Sequence, residues 1–173
     1  PTATFDVVTY NLVSVQYNNG CSQNQAGSVI VSVNQLPTAT ISGTTTICQN
    51  STSPDVIFTG SGGTAPYTFV YKINGGTDQT ITTTSGNSVA LPVNTSTAGT
   101  FNYTLVSVSD ASSTACTNAA TGTATITIKP QPSATIGGTT TVCKDETTPV
   151  ITFTGANGSA PYTFTYKING GSN

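Results

Sequence analysis

Near-copies of one phrase, a fixed cysteine spacing and two-residue alternation predict an all-β chain: tandem immunoglobulin-like β-sandwich repeats of about 95 residues. "GGTAPYTFVYKINGG" occupies 62–76 and "NGSAPYTFTYKINGG" occupies 157–171. Cys48 and Cys143 stand 95 residues apart, as do Cys21 and Cys116. "PTATISGTTTIC" (37–48) returns as "PSATIGGTTTVC" (132–143), and "GSVIVSVNQLPTAT" (27–40) returns as "GTATITIKPQPSAT" (122–135). Repeats of roughly 20 to 50 residues share a core with their neighbours, whereas a period near 95 suits a self-sufficient domain. Residues 1–35 then form the C-terminal part of one repeat (strands F and G), 36–130 a complete repeat, and 131–173 the N-terminal part of a third (strands A to C). The links "NQLP" and "KPQP" place proline in extended polar stretches, the chemistry of short, semi-rigid connections.

In the complete repeat, strand A is "ATISG", broken at Gly43 and continued by "TTTIC". Strand B (56–60) turns Val56 and Phe58 inward and Ile57 outward, since position 57 becomes Thr152 one repeat later. Strand C alternates Tyr67, Phe69, Tyr71 and Ile73 with Thr68, Val70 and Lys72, the mark of one buried face. Pro66 sets its entry, and Asn74-Gly75-Gly76 supplies residues that tolerate positive φ at its exit. Strands D (79–84), E (87–93), F (100–109) and G (123–129) complete the repeat, and no stretch reads as an amphipathic helix of useful length. The expected core is Phe58, Phe69, Tyr71, Leu91, Leu105, Ile126 and Ile128.

Charged residues make up 6% of the chain, against roughly 25% in ordinary domains. Four lysines, no arginine and six acids give a net charge of −2, so no basic face is available for nucleic acid or an anionic membrane. Outward threonines keep strands polar without lowering β-propensity. No apolar run approaches the roughly 18 residues of a spanning helix. Residue 1 falls inside a repeat, which places the expected export signal elsewhere in a longer protein.

The combination "LPTATISGTTTIC", "APYTF.YKINGG", "FNYTLVSVSDASS.AC" and "GTATITI" resembles the repeats of very large cell-surface proteins of Bacteroidota, closest to gliding-motility adhesins of the SprB-like group. The resemblance spans essentially the whole chain. It implies immunoglobulin-like or PKD-like beads in long surface fibres exported by type IX secretion, although the C-terminal sorting domain of such proteins is not in this sequence.

Catalytic chemistry has little to work with. The chain has no histidine, which removes Ser-His and Cys-His nucleophile systems. Of Asp6, Asp55, Asp78, Asp110, Asp145 and Glu146 only the last two adjoin, and neighbours on a strand face opposite ways. These acids read as solvated loop residues, and the clustered aspartates of calcium loops are missing. No enzyme activity, cofactor or metal is expected. Four cysteines without histidine or CxxC point to disulfides and an oxidising, extracellular setting. The expected bond joins Cys48 and Cys116, closing a loop of nearly seventy residues and contributing about 4 kcal/mol on the chain-entropy model. The alternatives are a link between neighbouring repeats, such as Cys21 to Cys48, and free buried thiols. Tyr67, Tyr71 and Tyr103 read as core with hydroxyls at the rim rather than as a sugar platform. Lys72 and Lys167 fall on the outward parity. Glycosylation-pattern triplets at Asn50, Asn94, Asn102 and Asn157 are what a chain rich in Asn and Thr produces by chance.

The expected function is a structural extender in a surface adhesin or filament, acting in adhesion or gliding motility. Its partners would be neighbouring repeats, with self-assembly into fibres as a further expectation. Any surface or glycan ligand would be met through other parts of the full protein. The rival is a carbohydrate- or ice-binding sandwich using threonine rows such as "TITTT" (80–84). The partial repeats at either end fit a stretch of a longer continuous chain, or ends that complement each other between molecules, with Asn173 aligned to Asp78 and Pro1 near Asn94.

Overall fold

The computed structural model describes residues 6–169, so Pro1 and Asn173, used above to align the ends, lie outside the described residues. Every regular element among the described residues is a strand. The chain divides into two compact units: Pro1–Gly43, Asp55–Leu91 and Asn102–Ala124 in the first, and Thr44–Pro54, Pro92–Phe101 and Thr125–Asn173 in the second.

The first unit opens with an antiparallel ladder of β1 (Asp6–Asn11) and β4 (Ser28–Val33), in register from Asp6↔Val33 to Asn11↔Ser28. These strands fall where F and G were expected. A short hairpin of β2 (Ser14–Gln16) and β3 (Ser22–Asn24) lies between them in sequence. Gly20, at φ 90°, closes its turn by donating to the Tyr17 carbonyl at 3.0 Å.

Strands β5 (Thr38–Ser42), β7 (Asp55–Ser61) and β10 (Ser88–Pro92) form a three-stranded sheet in the order β10-β7-β5. Facing it are β8 (Thr68–Ile73), β9 (Asp78–Thr82) and β11 (Gly99–Ser109), with β12 (Thr117–Ala119) paired to β11. Phe58 on β7 meets Phe69 and Tyr71 on β8, with ring centroids 5.7 and 5.0 Å apart, so the two sheets enclose an aromatic core. This is the expected immunoglobulin-like sandwich. Phe58 and Phe69 are 0% exposed, and Tyr71 and Leu105 are also buried. Leu91 departs from expectation: it is only half-buried, because β10 is an edge strand. The alternation along β11 also breaks. A register shift between Leu105 and Ser107 turns Val108 into the core, where unbroken alternation would have put Ser107.

The expected break in strand A is a change of sheet. Gly43 ends β5 at φ 113°, and a Cβ there would lie 2.3 Å from the Asp55 carbonyl oxygen. The larger sheet runs β9-β8-β11-β13-β6, where β13 spans Thr123–Lys129 and β6 spans Thr45–Cys48.

In the second unit β6 pairs with β13 in parallel, from Thr45↔Ile126 to Cys48↔Lys129. Ile126 and Ile128 are buried as expected. Past β6, Gln49 donates its backbone N–H to the Lys129 carbonyl at 2.8 Å, and its side chain donates to the Ser96 carbonyl at 2.6 Å. The unit also holds β14 (Ser133–Gly137) and β15 (Thr152–Ala156), antiparallel in the manner of β5 and β7. Residues 162–168, nearly identical in sequence to β8, form no strand. A strand needs a ladder partner, and none pairs with these residues among those described, whereas β8 lies between β9 and β11.

Candidate functional site

The most elaborate polar arrangement is a corner in the first unit. Gly60 lets the Tyr67 ring lie against the backbone, since a Cβ there would sit 2.5 Å from the ring. The Tyr67 hydroxyl donates to the Gly63 carbonyl at 2.8 Å and accepts from the Gly63 N–H at 3.2 Å. The Tyr67 N–H donates to Thr83 Oγ1 at 2.9 Å. Beside this hook, Asp110 accepts from the Thr64 N–H at 3.0 Å and from the Ser112 hydroxyl at 2.7 Å and backbone N–H at 3.3 Å. Burial alone would raise the Asp110 pKa. The hydrogen bonds from Thr64 and Ser112, with a further contribution from the Cys116 backbone, outweigh it and hold the carboxyl below the ordinary aspartate range.

Asp110 therefore corrects the reading of all six acids as solvated. It is buried, and it ties the 63–64 turn to the start of the β11–β12 connection. The sequence held a signal for it, because Asp110-Ala111-Ser112 has the spacing of an Asx turn. Both carboxylate oxygens accept structural hydrogen bonds, Oδ2 from Thr64 and Oδ1 from Ser112.

All four cysteines are free thiols. Cys48 and Cys116, expected to be bonded to each other, are not. Cys48 instead ends β6 opposite Lys129, exposed, with Ser51 donating to its carbonyl. Cys116 is half-buried, its Sγ 3.1 Å from Thr114 Oγ1 and its carbonyl accepting from the Asp110 N–H. Cys21 and Cys143 are exposed. Among the described residues no group of three or more His, Cys, Asp or Glu could hold a metal ion.

The tyrosine stripe is core. Tyr67, Tyr71 and Tyr103 are buried; burial raises the pKa of Tyr71, and burial followed by the neighbouring Tyr71 raises that of Tyr103. The outward face of β8 and β9 is mixed. Thr68 pairs with Thr82, Val70 with Thr80, and Lys72 with Asp78, whose charged groups lie 3.6 Å apart. Thr83 of the "TITTT" run is buried under Tyr67, so the threonines of 80–84 are not one exposed row. Lys167 is exposed. In the second unit an open cleft of about 780 Å³ is lined by Lys129, Pro130, Pro132, Asn157, Tyr162 and Phe164 among others. Its lining also includes Cys48, and it contains no acid and no cation besides Lys129. No protein family, curated protein or solved structure matches the chain.

Proposed function

We propose that this chain is a load-bearing extender: a stretch of immunoglobulin-like beads in a long extracellular surface protein of the adhesin type, with no catalytic role. One observation carries the reading. β6, which follows β5 at the start of the complete repeat, and β13, its last strand, pair in parallel over four registered residues. Tension along the array pulls β6 towards its N-terminus and β13 towards its C-terminus. In a parallel pair those pulls oppose each other along the strand axes, so the hydrogen bonds are sheared together rather than unzipped singly. The Gln49 N–H to Lys129 bond extends the same seam by one residue.

The sparse charge and mixed outer face support a spacer over a ligand platform. The adhesin and gliding-motility assignment, with surface export, rests on the resemblance of the repeats alone. Stretching the chain between its ends by force spectroscopy tests the mechanical reading. A complete repeat should lengthen by roughly 300 Å in one step on unfolding. Gradual extension without a force peak would refute it, and glycan-array binding lost on replacing Thr80 and Thr82 would favour the rival binding module.

A further inference from the structure

We propose that the turn at 62–64 and the β11–β12 connection at 110–118 form a seat for the link that enters the complete repeat, so that the bead fixes the direction of the strand leading into it and the junction has no hinge.

Ladder and seat contacts follow one another without a gap from Val33 to Thr38. β4 ends its ladder at Val33, paired with Asp6. The next residue, Asn34, donates its side-chain amide to Thr114 Oγ1 at 2.9 Å, across 80 positions of sequence. At the other end of the link the fully buried Pro37 accepts at its carbonyl from the Asn118 side chain at 3.0 Å. Between them Gln35 and Leu36 lie against Gly62, where a Cβ would come within 3.2 Å of Gln35 Nε2 and of the Leu36 carbonyl oxygen. β5 then begins at Thr38, whose hydroxyl is 2.8 Å from Ser61 Oγ.

Proline alone would not achieve this. It fixes one φ, while Asn34, Gln35 and Leu36 each keep two soft dihedrals. Anchoring both ends of so short a link removes that freedom. The turn contacts the link in the next repeat as well, with different chemistry. Gly62 stands at φ 77°, and Asn157 fills its position at φ 61°. The Asn157 side chain donates to Ser133 Oγ at 3.2 Å, just past the second link.

The seat is itself braced. Asp110 joins its two halves, accepting from the Thr64 N–H at 3.0 Å, while the Ala111 N–H donates to the Thr64 carbonyl at 2.8 Å. The Ser112 hydroxyl donates to Asp110 at 2.7 Å and accepts from the Cys116 N–H at 3.4 Å, which shapes the loop that presents Thr114. Asn118 is held by the ladder, opposite Val108. The buried carboxylate is thus a positioning residue: it keeps the two loops at the separation the link requires. In an array the junction becomes a strut, which extends reach without slack. That consequence rests on the extender reading, whereas the seat does not.

Residual dipolar couplings of the full chain in a dilute aligning medium test the seat. In the wild type the amides of β1 and β4 and those of β5, β7 and β8 should fit one alignment tensor. Asn34→Ala combined with Asn118→Ala should split them into two tensors, with smaller couplings in β1 and β4. Unchanged amide shifts in β7 and β8 show that the sandwich is intact in this variant. If they change, Asn34→Ala alone, which lies outside the complete repeat, provides the comparison. Two tensors in the wild type, or one tensor in a folded variant, would overturn the seat. Extension without a force peak alongside a single wild-type tensor would instead refute the extender reading and leave the seat standing.

Discussion

Phe69 shows what a single residue contributes. It is fully buried and packs between Phe58 and Tyr67, with centroids 5.7 and 6.4 Å away. Phe69→Ala leaves a void that the stacked sheets cannot close, and the expected cost is about 3–5 kcal/mol by denaturant titration; a cost below about 1 kcal/mol would mean that this side chain is not central to the core. Asp110 acts through charge instead. Its pKa is lowered in the fold, so its contribution is fully present above the ordinary aspartate pKa and is lost as pH falls through the folded value. Asp110→Asn should therefore be less stable than wild type at neutral pH, with the gap shrinking below about pH 4. A gap that does not change with pH would show that the charge is not what matters. The phenylalanine was legible in the sequence because alternation marks a buried face. The aspartate was legible only in part: the Asx spacing of Asp110-Ala111-Ser112 marks a turn, but whether a loop acid is solvated depends on which turns fold over it.

At the scale of the element, the strands were the most legible feature, since β7 to β11 and β13 lie within one or two residues of the stretches read from alternation and turn residues. Two features depended on partners. The bulge in β11 changes which residues face inward, and only the neighbouring β8 defines it. Residues 162–168 carry nearly the sequence of β8 yet form no strand, because a strand is a property of a pair. The parallel β6–β13 seam gives a direct test of the mechanical reading. Gln49→Pro removes the N–H that bonds Lys129 and should lower the unfolding force of the complete repeat, while Thr82→Ala on the outward face should leave it unchanged. Equal forces for the two variants would place the mechanical resistance elsewhere in the repeat.

For the molecule as a whole, the free thiols leave packing and hydrogen bonds to hold the fold. The denaturant midpoint should be the same with and without a reductant, and alkylation of the native protein should label the exposed Cys21, Cys48 and Cys143 without prior reduction. A midpoint that drops on reduction would reveal a crosslink. The sequence by itself determined the all-β class, the repeat period and the faces of most strands, because side-chain periodicity and turn chemistry are local and survive in a linear string. The tertiary structure alone decided that Asp110 is buried, that Gly43 passes strand A from one sheet to the other, and that Leu91 lies at an edge. Each of these depends on which distant segments become neighbours, and that is set by how strands pair across the sandwich rather than by residues adjacent along the chain.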